Sequence, residues 1–229
     1  MNIRHFINNS DLTLTLLLDD PALPVGVYES RLGPKETARG REKRSSAAYR
    51  AWLLGRWAAK AAAVEFWKPA GGDPEIFNGP EGEPLLVWPG RPDFSGCLSI
   101  SHCPGAALAA VSGRPLGVDL ERRDRALGER VRRWAFNGRE LTLIDQGAGS
   151  RFSPALALWC GREAAAKSWG RALLKHLDKV RVTRADWRSG LLWVDWLAEP
   201  RRQSRVALFN RAEHLLALAG SFQQEPGPE

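Results

Sequence analysis

Two Ala- and Leu-rich helical segments, each set among short apolar strand segments, constrain the fold of this chain most strongly. The clearer helix spans residues 153–177, where Ser153 is a favourable N-cap and Pro154 fits the first turn. The other spans residues 35–66, and its first half is strongly basic. Helices and strands in both halves predict an α+β protein with two similar lobes that meet near residue 113.

The strand segments are short apolar runs that lie between turn signals. They are predicted at 12–18, 97–105, 106–112, 191–197, 205–209 and 214–220. The Ser-Gly-Arg-Pro turn after residue 112 predicts a hairpin between strand 106–112 and the segment that follows. Residues 127–145 are predicted to be helical, with a break at Asn137 and Gly138.

The bulk composition is that of a soluble globular protein with a basic surface. The formal net charge is +7 and the pI is near 9.8, which favours nucleic acid, nucleotides, phosphates or an acidic protein as partners. The three cysteines lack C-x-x-C spacing, which argues against a disulfide scaffold or a cysteine zinc site and suits a reducing cytosol. "LTLTLLL" (12–18) is too short for a signal sequence or membrane span, so we predict a cytoplasmic protein without membrane contact.

The segment "PLGVDLERRD" (115–124) carries two carboxylates on one side of a strand. Every second residue is apolar, which predicts a half-buried strand whose other face presents Gly117, Asp119 and Glu121. A positive partner would explain the two neighbouring carboxylates. A solvated strand edge would explain them as well when the segment is taken alone.

A third carboxylate lies in the 153–177 helix. Trp159, Glu163 and Lys167 have i, i+4, i+8 spacing and share one helix face. Taken alone, Glu163 and Lys167 also fit an exposed ion pair worth a few tenths of a kcal/mol. Together with the strand carboxylates, Glu163 would complete an all-oxygen site suited to Mg²⁺ and phosphates. This combination predicts phosphoryl-type chemistry on a nucleotide-like substrate.

Several motifs resemble those of the Sfp-type 4′-phosphopantetheinyl transferases. "GVDLE" (117–121) and "WCGREAAAK" (159–167) are similar to the two main motifs of that family, in the right order and spacing. "SISHCPG" (99–105) is similar to a third motif, N-x-S-H-S, and "RRWAFNGRE" (132–140) to the segment between the main motifs. The resemblance covers residues 75–175.

The resemblance implies a reaction and a metal. Asp119, Glu121 and Glu163 would hold Mg²⁺ against the pyrophosphate of coenzyme A. The 4′-phosphopantetheine arm would move to a serine hydroxyl of an apo acyl, peptidyl or aryl carrier protein, with release of 3′,5′-ADP. Glu163 is the favoured base for that serine, and Lys167 would bind phosphate oxygens.

The resemblance also implies contacts with the nucleotide end of coenzyme A. Ser101 and His102 would lie near its 3′-phosphate. Gly82 and Pro84 match a G-K-P pattern that contacts the coenzyme, but Glu83 stands in place of the lysine. Arg44, or another cation of "RGREKR" in the same basic stretch, is expected to take over that phosphate contact.

Three further positions depart from the family pattern. Arg162 replaces the lysine that normally precedes the helix glutamate, and it is expected to contact the coenzyme. Ser99 replaces an asparagine and Cys103 a serine in the Ser-His motif. None of the three expected metal ligands is lost, which favours an active enzyme.

The family architecture is a monomer of two similar α/β lobes related by a pseudo-twofold axis. It implies a nucleotide-side lobe at 1–113, a lobe at 114–220 with the metal site and carrier docking, and a disordered tail at 221–229. Carrier proteins of this kind are acidic, so the net charge of +7 would raise the association rate. Docking is expected near Trp134 and Phe136.

Two other functions remain open from the sequence. A non-catalytic homologue could dock on carrier proteins without transferring anything, and Glu83 and the altered Ser-His motif motivate this alternative. A basic nucleic-acid-binding module is supported by charge alone, because no DNA- or RNA-binding motif is present. Partners are therefore predicted to be coenzyme A and an apo carrier protein, not nucleic acid.

Overall fold

The computed structural model describes residues 2–8, 11–43, 48–68, 73–88, 96–198 and 202–220. The strands are β1 (Asn2–Asn8), β2 (Leu12–Leu18), β3 (Glu75–Asn78), β4 (Pro84–Val87), β5 (Cys97–Cys103), β6 (Ala106–Ser112), β7 (Leu116–Arg122), β8 (Val180–Asp186), β9 (Leu191–Trp196), β10 (Arg202–Arg211) and β11 (His214–Gly220). The helices are α1 (Val25–Glu29), α2 (Pro34–Lys43), α3 (Tyr49–Trp67), α4 (Glu129–Ala135), α5 (Gly138–Gln146) and α6 (Pro154–Ser168).

One antiparallel sheet belongs to the first half of the chain and has the strand order β1-β2-β6-β5. The side chains of β2 and β6 alternate between two apolar layers, as the period of a strand requires. Leu17, Ala107 and Ala109 face α3, whose alanines and leucines complete that core. Leu16 and Leu108 point to the opposite face.

A second antiparallel sheet is built from the rest of the chain, in the order β7-β11-β10-β9-β8. Ala217 and Ala219 face α6 within the larger core. Leu216, Leu218 and Val118 point the other way and pack against the first sheet. The order of layers is therefore α3, first sheet, second sheet, α6.

The edge strands β5 and β7 lie side by side where the two sheets meet, although they belong to different sheets. A side chain joins them, because the Val118 N–H donates to Ser99 Oγ at 3.0 Å. The seam between β5 and β7 places residues from both halves of the chain close together.

The predicted strands are confirmed, but two expectations about β7 are wrong. β6 pairs with β2 and β5, so it forms no hairpin with β7, which pairs with β11. β7 is not half-buried: Leu116 through Leu120 are all buried, since one face meets the first sheet and the other meets α6. The strands β1, β3, β4 and β8 were not predicted from the sequence.

Helix boundaries differ from the prediction. The expected helix at 35–66 is present as α2 and α3, with residues 44–47 outside the described residues. α6 ends at Ser168 rather than 177, where Gly170 adopts a left-handed φ of 68°. Ser153 is the N-cap residue but its side chain makes no capping hydrogen bond. The break at Asn137 is confirmed, since Asn137 forms a capping box with Glu140.

The three cysteines are free. Across the described ranges, no helix combines the length and apolarity needed to cross a membrane. The 1–113 and 114–220 lobes and their twofold relation stay predictions, and the 221–229 tail lies outside the described residues.

Candidate active site

The site is built on a close approach between β7 and α6. A Cβ atom at Gly117 would lie 1.9 Å from the Ala164 carbonyl oxygen and 2.5 Å from the Ser168 amide nitrogen. Both are backbone atoms, which cannot rotate away as a side chain can. Glycine at 117 therefore allows α6 to lie directly on the strand that carries the two carboxylates.

Asp119 lies at the centre of this contact and is 5% exposed. Its Oδ1 accepts hydrogen bonds from Ser101 Oγ at 2.7 Å and from Lys167 Nζ at 2.9 Å. Lys167 also donates to the Val118 carbonyl at 3.0 Å. The interpretations of an exposed Glu–Lys pair and of a solvated strand edge are therefore wrong. The structure brings Ser101, Asp119 and Lys167 together.

Glu121 and Glu163 share the negative field of Asp119. Burial raises the pKa of Glu121 to about 7, and the charges of Asp119 and Glu163 add to the effect. Burial and Asp119 also raise the pKa of Glu163, against the opposing charge of Lys167. For Lys167, burial alone would lower the pKa, but Asp119 and Glu163 raise it above its ordinary value. The cluster holds more negative charge than Lys167 neutralises.

The donor set fits a hard divalent cation such as Mg²⁺. Asp119 Oδ2 is buried and has no hydrogen-bond partner among the described residues, and carboxylate oxygens are the ligands Mg²⁺ prefers. In the described part of the chain, no group of three or more Asp, Glu, His or Cys residues is arranged as a ready metal cage. Glu121 is instead paired with Arg125, and Asp119 with Lys167. These ion pairs occupy oxygens that a cation would otherwise attract.

We expect the metal-free protein to lose stability as the pH rises through the titration of Glu121. Its folded pKa, about 7, lies above its ordinary value of 4.5, so the folded state binds the extra proton. Its stabilising contribution is thus complete below pH 4.5 and is lost as the pH rises through 7. Urea unfolding in EDTA at pH 5 and pH 8 should show a loss of roughly 1–3 kcal/mol in wild type relative to Glu121→Gln. Equal pH dependence in the two proteins would contradict the assignment, and Glu129→Gln, at an exposed site, is the control.

A cleft of about 260 Å³ opens beside Glu163 and Lys167. The turn that contains Gly82 and Pro84 forms one wall, and residues 170–174 form the other. A second cleft of about 190 Å³ shares Gly82, Pro84 and Ile100 with the first and ends at His102. We call these two clefts together the groove. It runs from Glu163 and Lys167, past Glu81 and Glu83, to a more basic end.

The basic end of the groove carries Arg39, Arg56 and His102. Burial, with the charge of Lys167, lowers the pKa of His102, so the imidazole is neutral at physiological pH. Arg39 belongs to the basic stretch singled out in the sequence, whereas Arg44 lies outside the described residues. Sequence reasoning missed Arg56. The detectable signal was a cation within an Ala- and Leu-rich helix, a feature that Arg56 shares with Arg50 and Lys60.

Glu83 is held by its own turn. Its carboxylate accepts the Glu81 N–H at 2.9 Å, and Oε1 lies 2.1 Å from where a Gly79 Cβ would be. The acid thus stabilises the turn that forms one wall of the groove. This backbone contact is one that a lysine at 83 could not make.

Arg162 is not at the groove. It is completely buried, and its guanidinium donates to the carbonyls of Ala135 and Leu177 and lies 3.7 Å from Glu140. Arg162 thus ties α6 to α5 within the second core, and this position does not fit the expected contact with the coenzyme. Trp159 is likewise buried in that core.

Residues 115–219 match the model of the 4′-phosphopantetheinyl transferase superfamily. The matched range runs from β7 nearly to the end of β11 and includes Asp119, Glu121, Glu163 and Lys167. No curated protein matches the chain.

Proposed function

We propose that the protein is a transferase of the Sfp type, since residues 115–219 match the model of the 4′-phosphopantetheinyl transferase superfamily. It moves the 4′-phosphopantetheine arm of coenzyme A to a serine of an apo acyl, peptidyl or aryl carrier protein. We further propose that it acts as a monomer in the cytoplasm. The observation that carries the proposal is the contact of Asp119 with Lys167, which lines the groove together with Glu163.

The groove is suited to an extended, anionic coenzyme. Gly82, Pro84 and Ile100 line its middle, while Arg39 and His102 lie at the end proposed for the nucleotide. Ser101 donates to Asp119, so its role is to orient that carboxylate. The other end, at Glu163 and Lys167, is left for the pyrophosphate and the pantetheine arm.

Transfer needs a base, a bound electrophile and a stabilised leaving group. The serine Oγ of the carrier forms a bond to the β-phosphorus, the bond from that phosphorus to 3′,5′-ADP breaks, and the serine proton passes to Glu163. The raised pKa of Glu163 makes it a better proton acceptor than an ordinary carboxylate. Lys167 holds the phosphate oxygens as charge builds on the leaving group. Mg²⁺, held by Asp119, Glu121 and Glu163, would neutralise pyrophosphate charge when bound.

Helix α4 is the surface best suited to an acidic carrier protein. Trp134 is 61% exposed and Val131 is 39% exposed, and arginines surround them. Phe136, which was expected to share this role, is 4% exposed and packs in the second core. Trp134 is therefore the apolar anchor that we propose for docking.

Trp134→Ala is expected to raise the KM for the carrier protein about tenfold, because exposed aromatic anchors contribute about 1–2 kcal/mol to such interfaces. The KM for coenzyme A should not change. Steady-state kinetics with each substrate varied in turn measures both values. Leu197→Ala, which removes a similarly exposed apolar side chain elsewhere, is the control. An unchanged carrier KM in Trp134→Ala would contradict docking on α4.

Intact-mass spectrometry of an apo carrier protein tests the activity directly. Incubation with the protein, coenzyme A and Mg²⁺ should add the mass of one phosphopantetheine, and EDTA or Glu163→Gln should prevent the gain. Acyl, peptidyl and aryl carriers are tested in parallel. No gain on any of them would contradict the proposal, and carrier binding without a gain would identify a non-catalytic docking protein.

A further inference from the structure

Three charged side chains are buried together behind the basic end of the groove. Glu36 is 2% exposed, Lys60 is 2% exposed and Arg56 is 5% exposed. Lys60 Nζ lies 2.6 Å from Glu36 Oε2, which also accepts the Gly33 N–H at 3.0 Å. The pairing joins α2 to α3 in the interior of the protein.

Arg56 is the weakly paired member of this cluster. Its Nε is 4.0 Å from Glu36 Oε1, and neither atom has a hydrogen-bond partner among the described residues. Its Nη2 donates to Asn78 Oδ1 at 3.0 Å, and the guanidinium lies over the Trp52 ring at 5.2 Å. A guanidinium has five N–H donors, and Arg56 makes one hydrogen bond to the described residues, so most of its donors have no protein partner among them.

The charges of the cluster do not cancel. Two cations share one carboxylate, which leaves one buried positive charge, and nearby Arg39 adds to it rather than offsetting it. Burying an uncompensated charge is strongly unfavourable unless an opposite charge joins it. Arg56 lines the groove together with Arg39 and His102, so the missing charge can arrive as an anionic ligand.

We infer that Lys60 is a positioning residue for anion binding, because by neutralising Glu36 it keeps Arg56 free for a phosphate group in the groove. Without Lys60, the carboxylate of Glu36 would have Arg56 as its cation, and the present 4.0 Å gap between them would close. Arg56 would then be withdrawn from the ligand. The identity of the ligand rests on the proposed function: it is the phosphomonoester of the nucleotide of coenzyme A.

The test compares ligand binding by proteins that differ in the number of buried charges in this cluster. Wild type carries one surplus positive charge, Lys60→Met carries none, and the double variant Glu36→Gln/Lys60→Met carries one again. Binding of 3′,5′-ADP and of adenosine 5′-phosphate is measured by calorimetry in EDTA, so that the metal site does not contribute. The difference between the two ligands isolates the 3′-phosphate.

Lys60→Met is expected to weaken 3′,5′-ADP binding about tenfold and to leave adenosine 5′-phosphate binding unchanged. The double variant should recover to within about threefold of wild type, and Lys60→Arg should bind as wild type does. Recovery on removal of a second charge is a result that a merely structural role for Lys60 would not give. Thermal unfolding confirms that each variant is folded.

Two results with the variants would overturn the inference. One is a folded Lys60→Met protein that binds 3′,5′-ADP as wild type does. The other is a folded double variant that fails to recover. If Lys60→Met alone does not fold, binding of 3′,5′-ADP by the double variant and by Lys60→Arg is compared with wild type, and a loss in either folded variant would overturn the inference. Failure of the transfer assay with preserved preference for 3′,5′-ADP would contradict only the proposed activity, whereas a wild type without that preference would overturn the inference itself.

Discussion

Asp119→Asn is expected to lower kcat/KM for phosphopantetheine transfer on the order of 10³-fold, which is the scale of losing one key electrostatic contact. The amide keeps the shape of the carboxylate but not its charge. It would leave Lys167 facing a neutral group and would remove Oδ2, which has no hydrogen-bond partner among the described residues and is the oxygen best placed to receive a cation. Initial rates with an apo carrier protein at saturating Mg²⁺ measure the effect.

Asp124→Asn is the matched control for that experiment. Asp124 lies just beyond the same strand, its side chain is 67% exposed, and it pairs with Arg122 at the surface. Its substitution should change the rate less than twofold, because exposed pairs contribute little. An Asp119→Asn protein that keeps more than about a tenth of the wild-type rate would rule out the central role given to this carboxylate.

Gly117→Ala is expected to destabilise the protein by about 3 kcal/mol or more, at the upper end of overpacking effects. The added carbon would lie 1.9 Å from a backbone oxygen of α6, so strand and helix must separate. Whatever fraction folds should also lose transfer activity, since Glu163 and Lys167 would move away from Asp119. Urea unfolding and the mass assay measure the two consequences.

Gly113→Ala provides the comparison for Gly117→Ala, because a Cβ at Gly113 meets nothing within 4 Å. Its effect on the free energy of unfolding should remain within about 0.5 kcal/mol. Equal stability of the two alanine variants would contradict the claim that glycine at 117 is needed for the close approach of β7 and α6.

The parts of the site that depend on local sequence patterns could be predicted. Alternation placed Asp119 and Glu121 on one face of a strand, and helical spacing placed Glu163 and Lys167 on one face of a helix. The structure joins Asp119 to Lys167, and their catalytic roles stay predictions. Gly117 was visible in the motif, but only the backbone distances of the folded protein show what it does.

Other features depend on contacts that no local pattern contains. Arg162 lies between two residues of a motif, yet its side chain faces the opposite direction, toward α5 and Glu140. Arg56 is one of several cations in an Ala- and Leu-rich helix, and its position at the groove depends on how α3 packs against the first sheet. A helix sequence shows which residues share a face, but not which neighbour each face will meet.

The pairing of β7 with β11 bears on how the molecule is made. Asp119 lies opposite Ala217 in the ladder, so β7 has its hydrogen-bonded neighbour almost half the chain length later in the sequence. During synthesis on the ribosome, residues 116–122 cannot form their hydrogen bonds with residues 214–220 until that later strand has been translated. Such long-range pairing slows folding and exposes an apolar strand to other nascent chains. Cellular chaperones would therefore matter more for the yield of this protein than for its final stability.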